Sequence, residues 1–341
     1  MHLILNSYGA SIHRENGLFH VKTAAAEQRI DPGRVRSISV SRGAQMSSDA
    51  VLLAIEHRVD VIFVEPTGKP AGRVWSVRYG SVSDIRRRQL DFFYSPDAVS
   101  WVRDLVAEKI NNQIALLLTL QVDSVDPLRR RINRGIKALE DHRAKVRAAE
   151  APHLSDLAPT LRGWEGAASR RYFQLLSAYL PERYRFEKRS QHPAADDFNA
   201  LLNYGYGMLY GKVEGALIRA GADPYLGIFH RDDYNRPALV FDVIERYRIW
   251  IDYVVVQLCR QEALTDDCFR WEGQARMLDG LGKRILIQSV NDYFAEIIPR
   301  GGLHRSRREH LQLEAHALAK FFLAYHPARL PSEESDHGVA E

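Results

Sequence analysis

At 341 residues the chain is long enough for one large domain or two ordinary ones, each with its own core. A composition of 45% hydrophobic and 26% charged residues, with no apolar run long enough to span a bilayer and no charged-then-apolar leader, reads as a soluble cytoplasmic protein without a membrane partner. Its two cysteines, Cys259 and Cys268, exclude a disulfide framework and a cysteine-rich zinc site.

Residues 1–80 read as strands. Short runs at 2–5, 10–13, 18–22, 35–40, 59–64 and 72–77 are mostly rich in β-branched residues and are separated by turn signals. Asn16-Gly17 between two such runs predicts a tight hairpin, and Pro32-Gly33 and Pro66-Thr67-Gly68 are further turns. One helix interrupts at 50–57, capped by Ser47-Ser48-Asp49. From about Ser81 the apolar spacing turns helical, at 85–93, 99–120, 132–146, 161–180, 198–220, 237–262, 280–298 and 304–325, with a small hairpin at 269–278. Pro152 and Pro159 read as punctuation between helices. The expected class is α+β and multidomain. An N-terminal β-sandwich-like domain at 1–80 is joined near 79–84 to a larger all-α domain at 81–326, and an acidic tail at 327–341 reads as disordered.

Candidate chemistry centres on residues 221–252. A turn leads to His230, a polar hinge-like link follows at 231–236, and Pro237 opens a long amphipathic helix. Asp242 and Glu245, three residues apart, are expected to project from one helical face. Alone, such acids are commonly solvated or paired with Arg246 and Arg248, and a lone histidine after an apolar run is commonly a core residue. Here Val240, Phe241, Val243, Ile244, Trp250 and Ile251 make the helix apolar around most of its circumference, so embedded acids need partners. A histidine with carboxylates suits Mg²⁺ or Mn²⁺. Glu165, between Trp164 and the small residues Gly166, Ala167 and Ala168, is the accessible acid that could complete such a set; the plainer reading is an exposed glutamate near a helix start.

The glycines of the 204–211 stretch follow no strand, so a nucleotide loop is a weak reading; Gly207, Gly211 and Gly215 fall on one helical face and read as packing. Glu214 is a weaker acid candidate, and Trp101, at helical spacing, reads as core. Serine-hydrolase, zinc-protease and Walker patterns are absent. The net charge of +4 hides basic clusters, among them Arg86 to Arg88, Arg129 to Arg131 and Arg183 to Arg189, whose joint reading is a phosphate-backbone footprint and whose separate reading is solvated helix faces.

Three stretches in order carry a resemblance: Leu161-Arg162-Gly163-Trp164-Glu165-Gly166, the run from Asp197 through Asn199 to Tyr206, and the run from Ala222 through His230 and Arg236 to Glu245. Together they resemble the Cas1 family of CRISPR adaptation integrase–endonucleases, over nearly the whole chain apart from the acidic tail. The resemblance implies an N-terminal β-sandwich that forms the homodimer and a helical catalytic domain. It implies a small Cas2 partner completing a heterohexameric integration complex on double-stranded and branched DNA. It further implies Mg²⁺ or Mn²⁺ held by Glu165, His230 and Glu245, with Asp242 a neighbouring acid near the metal. Glu stands at 245 where some members have Asp. The implied reaction is attack of a captured fragment's 3′-hydroxyl on a phosphodiester at a repeat boundary, in antiviral defence. Arg162, Arg170, Lys188, Arg189, Arg236 and Arg248 are then the nearest candidates for holding DNA. The alternatives are a non-enzymatic DNA-binding scaffold, or a plain metal-dependent structure-specific nuclease.

Overall fold

The computed structural model describes residues 1–65, 70–74, 80–191, 193–230 and 236–326. The Pro66 turn, the end of the 72–77 strand, most of the 231–236 link and the acidic tail lie outside these residues.

Strands β1 (His2–Leu5), β2 (Ser11–Glu15), β3 (Leu18–Lys22), β4 (Glu27–Ile30), β5 (Ser37–Ser41) and β6 (Gln45–Met46) precede helix α1 (Ser48–Glu56); β7 (Asp60–Val64) and β8 (Pro70–Arg73) follow it. They build two four-stranded sheets, ordered β1-β5-β7-β8 and β4-β3-β2-β6. The β2–β3 hairpin turns on Asn16 and Gly17, both at positive φ (50° and 76°), as the Asn-Gly signal predicts. Ser47 caps α1 by accepting from the Ala50 N–H. The sheets and α1 close on Ile12, Phe19, Ile38, Leu53 and Val61. Strands β4 and β6, short and polar, carried no β-branched run to announce them.

Helices α2 (Gly80–Phe93), α3 (Asp97–Val122), α4 (Leu128–Ala148), α5 (Leu154–Tyr179), α6 (Asp197–Ala220), α7 (Ala238–Ile244) and α8 (Arg248–Arg260) come next. The hairpin β9 (Phe269–Glu272) and β10 (Ala275–Leu278), helix α9 (Gly280–Ala295), the hairpin β11 (Ile297–Arg300) and β12 (Leu303–Ser306), and α10 (Arg307–Ala324) complete the described chain. Residues 80–84, expected as a link, already form the first turn of α2. Helix α5 starts at Leu154 and contains Pro159, because burial of Leu157, Ala158 and Leu161 outweighs one lost backbone bond near its start. Gly301 and Gly302, at φ 57° and 76°, turn the β11–β12 hairpin between the last two expected helices, and its strands take over their adjoining ends at 297–298 and 304–306.

A second correction concerns the glycines. A Cβ at Gly207 would meet nothing within 4 Å, whereas one at Gly205 would stand 2.5 Å from Ile251. Close packing of α6 on α8 therefore depends on Gly205, outside the expected stripe. Among the described residues, no helix is long and apolar enough to cross a membrane.

Candidate active site

Helices α3, α5, α6 and α8 surround an open cavity of about 620 Å³, whose wall also carries segment 186–191, His230 and Glu245. Of the residues singled out from sequence, Glu165, His230, Glu245, Arg162, Arg170, Lys188, Arg189 and Arg248 line it; Asp242, Arg236, Glu214 and Trp101 do not. Glu214 is buried on α6, and Trp101 packs against the helical core.

The histidine is set by a braced loop. Gly221, at φ 89°, ends α6, and the buried Gln89 of α2 then grips the turn. Its Nε2 donates to the carbonyls of Asp223 (2.8 Å) and Leu226 (3.1 Å), and its Oε1 accepts from the Asp223 N–H (3.0 Å). Gly227 passes so close to α7 that a Cβ there would lie 2.5 Å from that of Ala238. Asp242 anchors the loop from the other side. Its Oδ2 accepts from the N–H groups of Ile228 (2.6 Å) and Phe229 (3.1 Å), and its Oδ1 accepts from the His230 N–H (2.9 Å). The same Oδ1 lies 2.6 Å from His230 Nδ1. A carboxylate already collecting backbone donors fixes Nδ1 as the protonated ring nitrogen and leaves Nε2 with its lone pair. Arg162 closes the loop by donating to the Phe229 carbonyl (2.6 Å) with its guanidinium over the Phe229 ring.

The single long helix expected from Pro237 onward is broken. Between α7 and α8 the backbone tightens, with the N–H groups of Glu245, Arg246 and Tyr247 bonding three residues back. Tertiary contacts hold the break: the Arg246 carbonyl accepts from Asn112 of α3 (3.1 Å), and the Tyr247 hydroxyl reaches Glu314 of α10. Although only three residues apart, Asp242 and Glu245 serve different partners: Asp242 holds the 228–230 backbone, and Glu245 faces Lys109 and Arg248.

Glu245 turns to cations. Its Oε1 accepts from Arg248 Nε (2.7 Å), and its Oε2 stands 2.5 Å from the ammonium of Lys109 on α3. That ammonium also pairs with Glu165 Oε1. Burial acts to raise the Glu245 pKa, but Arg248 and Lys109 override it and bring the group down to about 2. Arg248 is itself fixed by stacking on Tyr206 (4.6 Å) and donating to the Tyr210 hydroxyl (2.9 Å). Below it, the buried carboxylate of Asp252 accepts from the hydroxyls of Tyr172 (2.8 Å) and Tyr206.

Lys109 escaped the sequence reading. The available signal was a charge at the centre of a helix whose neighbours Val106, Ala107 and Ile110 are all buried. Asn199 was read only as a motif residue; its side chain bonds Arg189 (2.9 Å), the Ser190 N–H (3.0 Å) and the Lys188 carbonyl (3.0 Å), holding that basic segment on α6.

Among the described residues, no three His, Cys, Asp or Glu side chains are grouped as a metal cage. The donors nevertheless fit a divalent ion. Both glutamates converge on one buried cation, and His230 shares their cavity with Nε2 uncommitted to Asp242.

The family model for CRISPR associated protein Cas1 matches residues 3–292. The chain belongs to the Cas1 family. A Cas1 relative named CRISPR-associated endonuclease Cas1 1, from Archaeoglobus fulgidus, is 30% identical over 302 residues, covering 85% of this chain and 87% of its own. A solved chain of a partial Cas6-RT-Cas1–Cas2 complex superposes with a TM-score of 0.74 at 25% identity, covering 94% of this chain and 95% of that one. A casposase bound to integration product shares the Cas1 fold at TM-score 0.70 and 20% identity, over 94% and 95% of the two chains.

Proposed function

We propose that the cavity is a divalent-metal site for phosphoryl transfer on DNA, with Glu165, His230 and Glu245 as ligands of Mg²⁺ or Mn²⁺. The convergence of both glutamates on one buried cation, in the cavity that His230 faces, carries this reading. When bound, the ion supplies charge neutralisation at a scissile phosphate and its leaving oxygen. Asp242 sets the histidine tautomer and orientation, and so serves as a positioning residue instead of a ligand. Arg248 holds Glu245 ionised and aimed. Arg162, Arg170 and Lys188 give the cavity a positive wall along which a phosphate backbone can lie. The nucleophile is the 3′-hydroxyl of a DNA fragment in integration and water in nicking; no side chain is assigned as its general base. Residues 1–80 form the homodimer contact, residues 81–326 the catalytic part, and Cas2 completes the assembly. The Cas2-containing complex among the structural neighbours supports that partner.

The test is insertion of an end-labelled fragment at a repeat boundary in Mn²⁺, with and without Cas2. Glu165→Ala, His230→Ala and Glu245→Ala are each expected to abolish insertion while DNA binding remains. Insertion that survives all three, or survives chelation, refutes the site. Metal-dependent cleavage with no insertion, even with Cas2, would leave a plain structure-specific nuclease.

A further inference from the structure

Lys109 occupies an unusual place for an ammonium. Its side chain is only 14% exposed, on the buried middle of α3, and it joins Glu165 of α5 to Glu245 at the α7–α8 break. Three separate elements thus meet at one charge. Without it, two carboxylates would face each other across a low-dielectric wall, an arrangement that opposes their joint ionisation. Arg248 does not substitute for it: Arg248 holds Oε1 of Glu245, and among the described residues no ion pair joins it to Glu165.

We propose that Lys109 is the resident cation of the site. It holds Glu165 and Glu245 at ligand spacing when no metal is bound, and a divalent ion must displace it from between them. This rests on the metal-ligand reading of the two glutamates. Lys109 is a positioning residue in this role, acting through the carboxylates. Two effects of its removal then run in opposite directions. The metal-free protein loses a buried counter-ion and weakens, while the metal loses a competitor and binds more tightly. A side chain that merely packs would weaken the fold without tightening the metal.

The experiment titrates Mn²⁺ calorimetrically into the full chain as wild type, Lys109→Met and Lys109→Arg, with melting followed in chelator and in saturating Mn²⁺. Lys109→Met keeps the stem and drops the charge. It is expected to melt several degrees lower in chelator, to bind Mn²⁺ about tenfold more tightly or better, and to regain most of the melting deficit when saturated. Lys109→Arg is expected to stay near wild type in both. Unchanged or weaker Mn²⁺ binding by Lys109→Met overturns the proposal. A second measurement needs no variant: amine acylation of wild-type Lys109, read by mass spectrometry, is expected to be slow in chelator and faster in Mn²⁺. Equal or slower labelling in Mn²⁺ also overturns it. Should wild type bind no Mn²⁺ that Glu165→Gln and Glu245→Gln abolish, the metal reading itself has failed, which is a different result.

Discussion

Asp242→Asn separates an orienting acid from a metal ligand. The carboxylate is fully buried and receives four donors: the N–H groups of Ile228, Phe229 and His230, and His230 Nδ1. An amide of the same shape accepts at one end only. Whichever way it is turned, two donors lose their oxygen and face an NH₂ group. Hydrogen bonds to charged acceptors contribute about 1.5–3 kcal/mol each, so the loss should be about 3–6 kcal/mol. For a chain of this size that corresponds to a melting point lower by roughly 4–8 °C. With its NH₂ group turned toward His230 the amide also gives up the hold on the histidine tautomer, a loss that typically lowers metal affinity about 10–100-fold. Thermal unfolding in chelator and Mn²⁺ titration read the two effects separately, and Glu245→Gln alongside reports the loss of a ligand. A variant that melts like wild type yet binds no Mn²⁺ would make Asp242 a ligand and refute the reasoning.

Other expectations follow from the same geometry. Burial, aided by Arg308, brings Lys212 down to about 8 from an ordinary 10.5, so its folded value lies below its unfolded one and the protein should gain stability as pH rises from 8 to 10.5. Lys212→Met should therefore stabilise by on the order of 2 kcal/mol at pH 7, with the gain gone near pH 10.5; urea unfolding at both pH values decides it. Gly227→Ala drives a methyl into Ala238 and its backbone, so it should destabilise by about 1–3 kcal/mol and weaken Mn²⁺ binding through His230. By contrast Gly207→Ala, with open space around the new Cβ, should raise stability by up to about 1 kcal/mol. Arg170→Ala removes an exposed cation from the cavity wall and should flatten the slope of log K against log salt for duplex DNA by about 0.9, equally across sequences.

Much of this site was legible before any coordinates. Glu165 and His230 stood out because an acid beside small residues and a histidine ahead of an acid-bearing apolar helix are local signals. The two-sheet layout followed from alternating short runs and from Asn16-Gly17. What stayed hidden depends on tertiary contact. The α7–α8 break has no proline or glycine to mark it and is held by Asn112 and Glu314 from distant helices. Helical spacing placed Asp242 and Glu245 as neighbours but could not show that one grips a loop and the other two cations. Lys109 lies 56 residues from Glu165, and no local pattern reveals that their charges meet. The glycine stripe misled for a related reason. Spacing shows which glycines share a face, but only the neighbouring helix shows which face is pressed, and Ile251 selected Gly205.

The different surroundings of Asp242 and Glu245 also divide how much change each acid tolerates. Asp242 sits in a closed socket whose walls are backbone N–H groups, so one added methylene would push the loop away and carry His230 with it. Glu245 reaches toward an open cavity with a cation on either side, where arm length is an adjustable dimension. Position 245 can thus take a short or a long carboxylate, while position 242 is held to one residue by shape. Two acids three residues apart answer to separate constraints because one is closed in by backbone N–H groups and the other stands between two side-chain cations.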